Sequence, residues 1–227
     1  MQRKQSIIKS FSFDELSEDD YPKESKRHLR KFLDTTKAQL FFANGVLLVE
    51  GVAEAIIIPI LAKKFLTEKI DLCKSGIELV NIGGVAFNHF VLLINNDDER
   101  KRLLSKCAII TDSDPNEDKE ISDRAQKAKG LEKHNLKVCL APHTLEYDLF
   151  EQSEQNKTIM RDVYRKLHPK TEKLKSEFDA QTLMQSLAQN KDKAEFALQL
   201  CDRLETEDAF DVPDYIKEAI LFVVSIE

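Results

Sequence analysis

Four short apolar runs, closed by turn residues and separated by helix-length segments, constrain this 227-residue chain more than any other feature. Val46-Leu47-Leu48-Val49 lies between Asn44-Gly45 and Gly51, and Ile77–Ile82 (IELVNI) is closed by Gly83-Gly84. Cys107–Thr111 (CAIIT) and Leu136–Leu140 (LKVCL) complete the set. Runs that are apolar at nearly every position are the pattern of strands buried on both faces. Strands of that kind alternating with helices predict an α/β fold with a mostly parallel sheet flanked by helices.

The segments between the runs have helical length. Residues 27–42 place Leu29, Phe32, Leu33, Leu40 and Phe41 on one side of a helix with a basic outer face. Residues 52–66, 85–95 and 118–134 read as further helices, the first with an expected kink at Pro59. Residues 11–26, polar and broken by Pro22, read as an exposed connection. Beyond about residue 150 the strand signals fade and return only in the apolar tail Ile220–Ile226. The charged stretch 154–210 between them predicts a helical subdomain packed against the α/β part.

Composition narrows the class of protein. With 42% hydrophobic and 33% charged residues the chain reads as globular rather than disordered. Its longest apolar run, Ala55–Ala62, is too short to cross a bilayer, and no secretory signal is expected in the residues after Met1. Cys73, Cys107, Cys139 and Cys201 offer no CxxC spacing, which excludes a zinc ribbon and fits reduced thiols in a cytoplasmic protein. The net charge of −6 argues against coating nucleic acid by bulk charge alone.

Acids cluster where a parallel sheet puts functional groups, just beyond the carboxyl ends of its strands. Glu50 closes the first strand, Gly51 permits a sharp turn, and Glu54 falls in the first turn of the next helix. Thr111-Asp112-Ser113-Asp114-Pro115 ends a later strand, and an extended backbone would place Asp112 and Asp114 on one face. Glu146 and Asp148 follow the run at 136–140. Each has a plain alternative: Glu54 as a carboxylate favoured by the helix dipole, the Asp-x-Asp segment as a capped turn. Their coincidence favours a metal site, because two carboxylates 4 Å apart repel by about 4 kcal/mol at an effective dielectric near 20. Oxygen ligands without His or Cys fit Mg²⁺ or Mn²⁺ better than Zn²⁺.

These segments together resemble a TOPRIM domain, the fold shared by topoisomerases, bacterial primases, recombination mediators and OLD-family nucleases. FFANGVLLVEGVAEAIIIP (41–59), NIGGVAF (81–87), AIITDSDP (108–115) and HTLEYDLF (143–150) are most similar to the OLD (overcoming lysogenization defect) family. KDKAEF (191–196) resembles that family's helix-opening lysine segment, although Ala194 stands where the family usually has Gly. The resemblance covers about residues 28–200. It implies a TOPRIM-like (Rossmann-like) domain at 28–150 and a helical subdomain at 151–227 whose apolar end returns to the core. Residues 1–27 would then be a linker or trailing edge of an N-terminal ABC-type ATPase. The sequence holds no G-x-x-x-x-G-K-[ST] P-loop, so no ATP hydrolysis is expected from this chain itself.

The activity the resemblance implies is Mg²⁺- or Mn²⁺-dependent endonuclease cleavage of DNA with two ions. Glu50, Glu54, Asp112, Asp114 and Glu146 would hold the metal, Glu54 being a shared ligand or a water-orienting base. Asp148, two residues from Glu146, would instead support a backbone group or a ligand. Lys193 would set a positive charge near the scissile phosphate, or be an ordinary solvated lysine. Gly83 and Gly84 serve either a tight turn or a close approach of backbone to substrate. The basic stretches Arg27–Lys37 and Lys157–Lys175 could track a phosphate backbone, or be solvated helix faces. His143 is the one histidine near these segments, with a supporting role expected, and Ser113 belongs to no nucleophile elbow. Alternatives are a TOPRIM nuclease acting on RNA and a non-catalytic interaction or dimerisation module of the ATPase, with an oligomer possible in the full-length protein. No membrane partner is expected.

Overall fold

The computed structural model describes residues 22–32, 38–83, 87–103, 105–113, 121–170 and 178–225. The four apolar runs form β1 (Gly45–Val49), β2 (Ile77–Asn81), β3 (Lys106–Asp112) and β4 (Leu136–Ala141). They pair in parallel in the order β2-β1-β3-β4. Alternate side chains leave opposite faces of a strand. Accordingly Leu47, Val49, Ala108, Ile110 and Cys139 enter one apolar cluster, while Val46, Leu48, Cys107, Ile109 and Val138 enter the other. Burial on both sides is why these strands read as continuous apolar runs.

Chain direction decides which helix covers which face. The step from β1 to β2 and the step from β2 to β3 run in opposite directions across the sheet. Right-handed connections therefore put α2 (Val52–Ile60) and α3 (Phe87–Asn95) on opposite faces, where they join the two separate clusters. Ile57 and Ile58 of α2 are fully buried, each contributing about 1.5–3 kcal/mol of apolar transfer. Because the connections diverge between β1 and β3, a crevice opens there at the carboxyl ends of the strands.

Several expected boundaries move. The first helix, α1 (Lys23–Phe32), begins directly after Pro22 rather than at Arg27, and a short 3-10 turn occupies Ala38–Phe42. Residues 23–26 are thus not a free connection: Ser25 is buried and its hydroxyl meets His89 Nδ1 of α3 at 2.9 Å. The helix expected at 118–134 is described only as α4 (Asp123–Lys129), started by a Ser122 cap on the Ala125 N–H and stopped at Gly130. Pro59 does not end α2. Lacking an N–H, it leaves the helix to widen into a single π turn at Leu61–Phe65, closed by Leu66 N–H to Leu61 O at 3.2 Å.

Helices α5 (Leu145–Glu151), α6 (Glu154–Leu167), α7 (Ala180–Asn190) and α8 (Lys193–Leu204) pack on one another, with α8 against α2. Two polar devices tie this layer to its neighbours. Lys64, in the π turn, donates to the carbonyls of Leu204, Glu205 and Glu207 at 2.8, 2.6 and 2.7 Å, capping the end of α8. Asn156, fully buried in α6, donates to Leu149 O and Asp211 O at 2.8 Å and accepts from Asp211 N–H at 2.9 Å. The apolar tail is helical as far as Val224 rather than extended. Ile216, Ala219, Ile220 and Val223 recur at helical spacing on the buried side of α9 (Asp214–Val224), which lies across β1, β3 and β4. Among the described residues no helix is long and apolar enough to cross a membrane.

Candidate functional site

The crevice beyond β1 and β3 is built from strand ends. Glu50 follows the last residue of β1, and the parallel register pairs Val49 with Ile110, so Glu50 comes beside Thr111 of β3. The Thr111 hydroxyl donates to Glu50 Oε1, and Arg124 from the first turn of α4 reaches both carboxylate oxygens at 3.3 and 3.4 Å. Gly51 follows in extended conformation and caps α2. A β-carbon there would stand 2.7 Å from Glu54 Oε2, so the Glu54 carboxylate folds back over the turn into space a side chain would share. Burial pushes the Glu54 carboxyl above its ordinary value of 4.5. The charges of Glu146 and Glu50 act in the same direction, while its own N–H and the Lys193 ammonium oppose them.

Asp112 ends β3 opposite Ala141 of β4. The next residue, Ser113, is buried, taking a backbone bond to Ala141 O at 2.9 Å and donating its hydroxyl to Pro142 O at 2.6 Å. Ser113 therefore locks the strand end. Asp114 and Gly84 lie outside the described residues. Gly83 has φ +65° and nothing within 4 Å of where a β-carbon would be, so backbone conformation accounts for glycine at that turn. Its N–H donates to Asn81 Oδ1 at 2.8 Å.

Thr144 caps α5, whose first turn carries Glu146 and Asp148, both buried. Asp148 accepts from the His143 N–H and approaches His143 Nδ1, each at 3.3 Å, closing the β4–α5 turn. Burial raises its carboxyl, and the His143 bonds pull the other way. The His143 ring stacks on Tyr147 with centroids 4.2 Å apart. Glu146 meets Lys193 Nζ at 3.1 Å. Lys193 opens α8 after a two-residue turn in which Lys191 adopts φ +60°, and His168 Nε2 lies 3.1 Å from Asp192.

Glu50, Glu54, Glu146 and Lys193 thus share one electrostatic neighbourhood, and Asp112 and Asp148 join it through a residue that pattern reading missed. Tyr215, in the first turn of α9, is buried, and the charges around its phenol are Asp148, Asp112, Glu54 and Glu146. Its one signal in the sequence was a hydroxyl on the apolar stripe of the tail, where a buried tyrosine calls for a partner. Arg124 gave no signal, being one cation among many on a charged helix.

Among the described residues no three His, Cys, Asp or Glu side chains stand as a ready-made ion cage. Glu50 is turned to Thr111 and Arg124, Glu146 to Lys193, and Asp148 to His143. The donor chemistry nonetheless fits a hard divalent cation. It is all oxygen, and after burial the charges of Glu146 and Glu50 add to the proton affinity of Glu54.

Residues 41–114 match the sequence profile described as "Overcoming lysogenization defect protein-like, TOPRIM domain". Among solved structures, the C-terminal region of the Xanthomonas campestris pv. campestris OLD protein is similar at a TM-score of 0.59 and 23% identity, over 82% of this chain and 94% of that one. The C-terminal region of the Burkholderia pseudomallei OLD protein is similar at a TM-score of 0.61 and 19% identity, over 81% of this chain and all of that one (100%). These likenesses show a shared fold. No curated protein matches the chain in sequence.

Proposed function

Since residues 41–114 are an OLD-like TOPRIM domain in a chain with the fold of OLD C-terminal regions, we propose that the protein is a metal-dependent endonuclease acting on DNA. The observation that carries this reading is the convergence of Glu50, Glu54, Asp112 and Glu146 with the Lys193 ammonium at the crevice between β1 and β3. A module used only for docking needs neither carboxylates at three strand ends nor a lysine brought to them from a separate helix.

Glu50, Glu54, Asp112, Asp114 and Glu146 would hold Mg²⁺ or Mn²⁺. When bound, such ions would supply an activated water and relieve the charge that develops on the five-coordinate phosphorus centre and the leaving oxygen. This chain's own residues do the rest. Glu54, folded over Gly51, orients the attacking water through its carboxylate. Lys193 releases Glu146 to the site and turns its ammonium toward a non-bridging phosphate oxygen. Arg124 and Thr111 hold the Glu50 carboxylate until then. Asp148 fixes the turn at His143 and keeps the start of α5 in place. An N-terminal ABC-type ATPase as partner belongs to the same reading.

Supercoiled plasmid incubated with Mg²⁺ or Mn²⁺, against an EDTA control, tests the proposal. Nicked or linear product is expected with metal and none with EDTA. If Asp112→Ala cleaves at the wild-type rate, the proposed site is wrong. Cleavage confined to an RNA substrate would redirect the reading to RNA with the same residues.

A further inference from the structure

The turn between β4 and α5 carries more ring surface than its closure requires. The His143 N–H closes it by donating to Asp148 Oδ2 at 3.3 Å, a bond open to any residue with a backbone N–H. The imidazole adds two contacts of its own. Its Nδ1 lies 3.3 Å from Asp148 Oδ1, and its face lies along the Tyr147 ring, with centroids 4.2 Å apart and planes 27° from parallel. Even so, 49% of the His143 side chain is exposed, against 8% for Asp148. Fixing an exposed side chain costs rotamer entropy, and turn closure alone gives no reason for it. The result is a flat ring, backed on one face by a half-buried tyrosine, held in orientation by a buried carboxylate and open to solvent.

This ring stands on the β4 side of the acidic crevice. Asp112 pairs with Ala141, and Ser113, the next residue after Asp112, donates to Pro142 O at 2.6 Å. His143 therefore follows directly on the residue fastened to the strand end that bears Asp112. Glu146, whose Oε2 meets Lys193 Nζ at 3.1 Å, immediately precedes Tyr147 in α5. The carboxylates and the ammonium suit ions and phosphate, but none of them offers a surface to a base. A fixed ring at the same rim does, because every base has a π face that an aromatic side chain can cover. Bases inside a duplex are covered by their neighbours, whereas an unpaired base can be splayed out and stacked on His, Tyr, Phe or Trp.

We propose that His143, backed by Tyr147 and oriented by Asp148, is a stacking platform for an unpaired nucleobase beside the scissile phosphate. The preferred substrate is then a strand with an unpaired nucleotide at the point of cleavage. The inference rests on the nuclease reading of the crevice and adds the substrate class to it. His143 is the substrate-binding residue, and Asp148 and Tyr147 are positioning residues that act through it. Stacking is tolerant of base identity, so this contact gives a preference for unpaired structure and none for sequence.

Abasic scanning of a short fluorescent single-stranded DNA tests it, with anisotropy as the readout and Ca²⁺ in place of Mn²⁺ so that binding is measured apart from cleavage. Each probe lacks one base but keeps its sugar and phosphate. With the wild-type full chain, base removal at one position should weaken binding by about tenfold, the size of one base–aromatic stack. His143→Ala should bind the intact strand more weakly by a similar factor, and removing that base should then cost nothing further. His143→Phe should restore the sensitive position although it cannot bond Asp148. A phenylalanine variant that behaves like the alanine one would show that the ring only closes the turn, and the proposal falls. The wild-type scan needs no variant, so a scan with no sensitive position overturns the platform even if His143→Ala does not fold. Plasmid cleavage alongside such a flat scan refutes the platform and leaves the nuclease reading standing. A sensitive position abolished by His143→Ala, in a chain that cuts no plasmid, supports the platform and refutes only cleavage. A wild-type chain that neither binds the strand nor cuts plasmid overturns both.

Discussion

The ammonium of Lys193 lies 3.1 Å from Glu146 Oε2, joining the first turn of α8 to the first turn of α5 across 47 positions of sequence. Glu146 is buried and Lys193 half-exposed, so the pair is neither a surface ion pair nor a fully desolvated one. Lys193→Ala should cost about 1 kcal/mol of stability, the range of a partly screened pair. Cleavage should fall by at least about a hundredfold if the ammonium also meets phosphate. Circular dichroism melts and single-turnover rates separate the two effects. A wild-type rate would make Lys193 a structural residue.

Glu54 gives a pH dependence with a definite sign. Its folded-state pKa is raised above 4.5 by burial first and then by Glu146 and Glu50. Well below about pH 4 the carboxyl is protonated folded and unfolded alike. As pH rises through the folded value, the unfolded chain releases the proton more readily and the folded state is penalised. Glu54→Gln should therefore raise the metal-free melting temperature at pH 7, with the gain disappearing on acidification, while abolishing cleavage. A gain that persists at low pH would point to a cause other than this titration.

Arg124 occupies the oxygens of Glu50 that a cation would need. Its removal in Arg124→Ala should change stability by less than about 1 kcal/mol, because the guanidinium is half-exposed and its ion pair is screened. Mn²⁺ affinity should increase roughly threefold to tenfold with one competing charge gone. Weaker Mn²⁺ binding would mean that Arg124 orients Glu50 for the ion rather than competing with it.

Lys64 and Asn156 carry no part of the proposed chemistry but hold the helical layer in place. Lys64→Ala removes the donor to three carbonyls at the end of α8 and should cost about 1–2 kcal/mol. Asn156→Ala leaves the buried Leu149 carbonyl and Asp211 backbone groups unpaired, at a cost of about 2–4 kcal/mol. Because Asn156 holds α5, whose first turn carries Glu146, the second substitution should also weaken Mn²⁺ binding, whereas Lys64→Ala should leave it unchanged. Chemical denaturation and calorimetry on both variants check the contrast.

The strands and the acids at their ends were legible because both are local. Burial on two faces requires an apolar residue at nearly every position of β1 and β3, and Gly51 marks the turn that brings Glu54 back over the strand end. Boundaries set by packing were less legible. Lys23–Lys26 look polar in isolation yet belong to α1, because Ser25 and Leu29 meet α3. The tail from Ile220 reads as apolar in any conformation, and only its contact with β1, β3 and β4 makes it a helix.

What the sequence by itself determined is the sheet and the set of carboxylates on its rim. Tertiary structure alone decided which side chains answer those carboxylates. Lys193 reaches Glu146 and Arg124 reaches Glu50, because α8 and α4 dock where their apolar faces direct them. Periodicity in a chain fixes which face of a helix is buried, but not which distant charge that burial brings into contact.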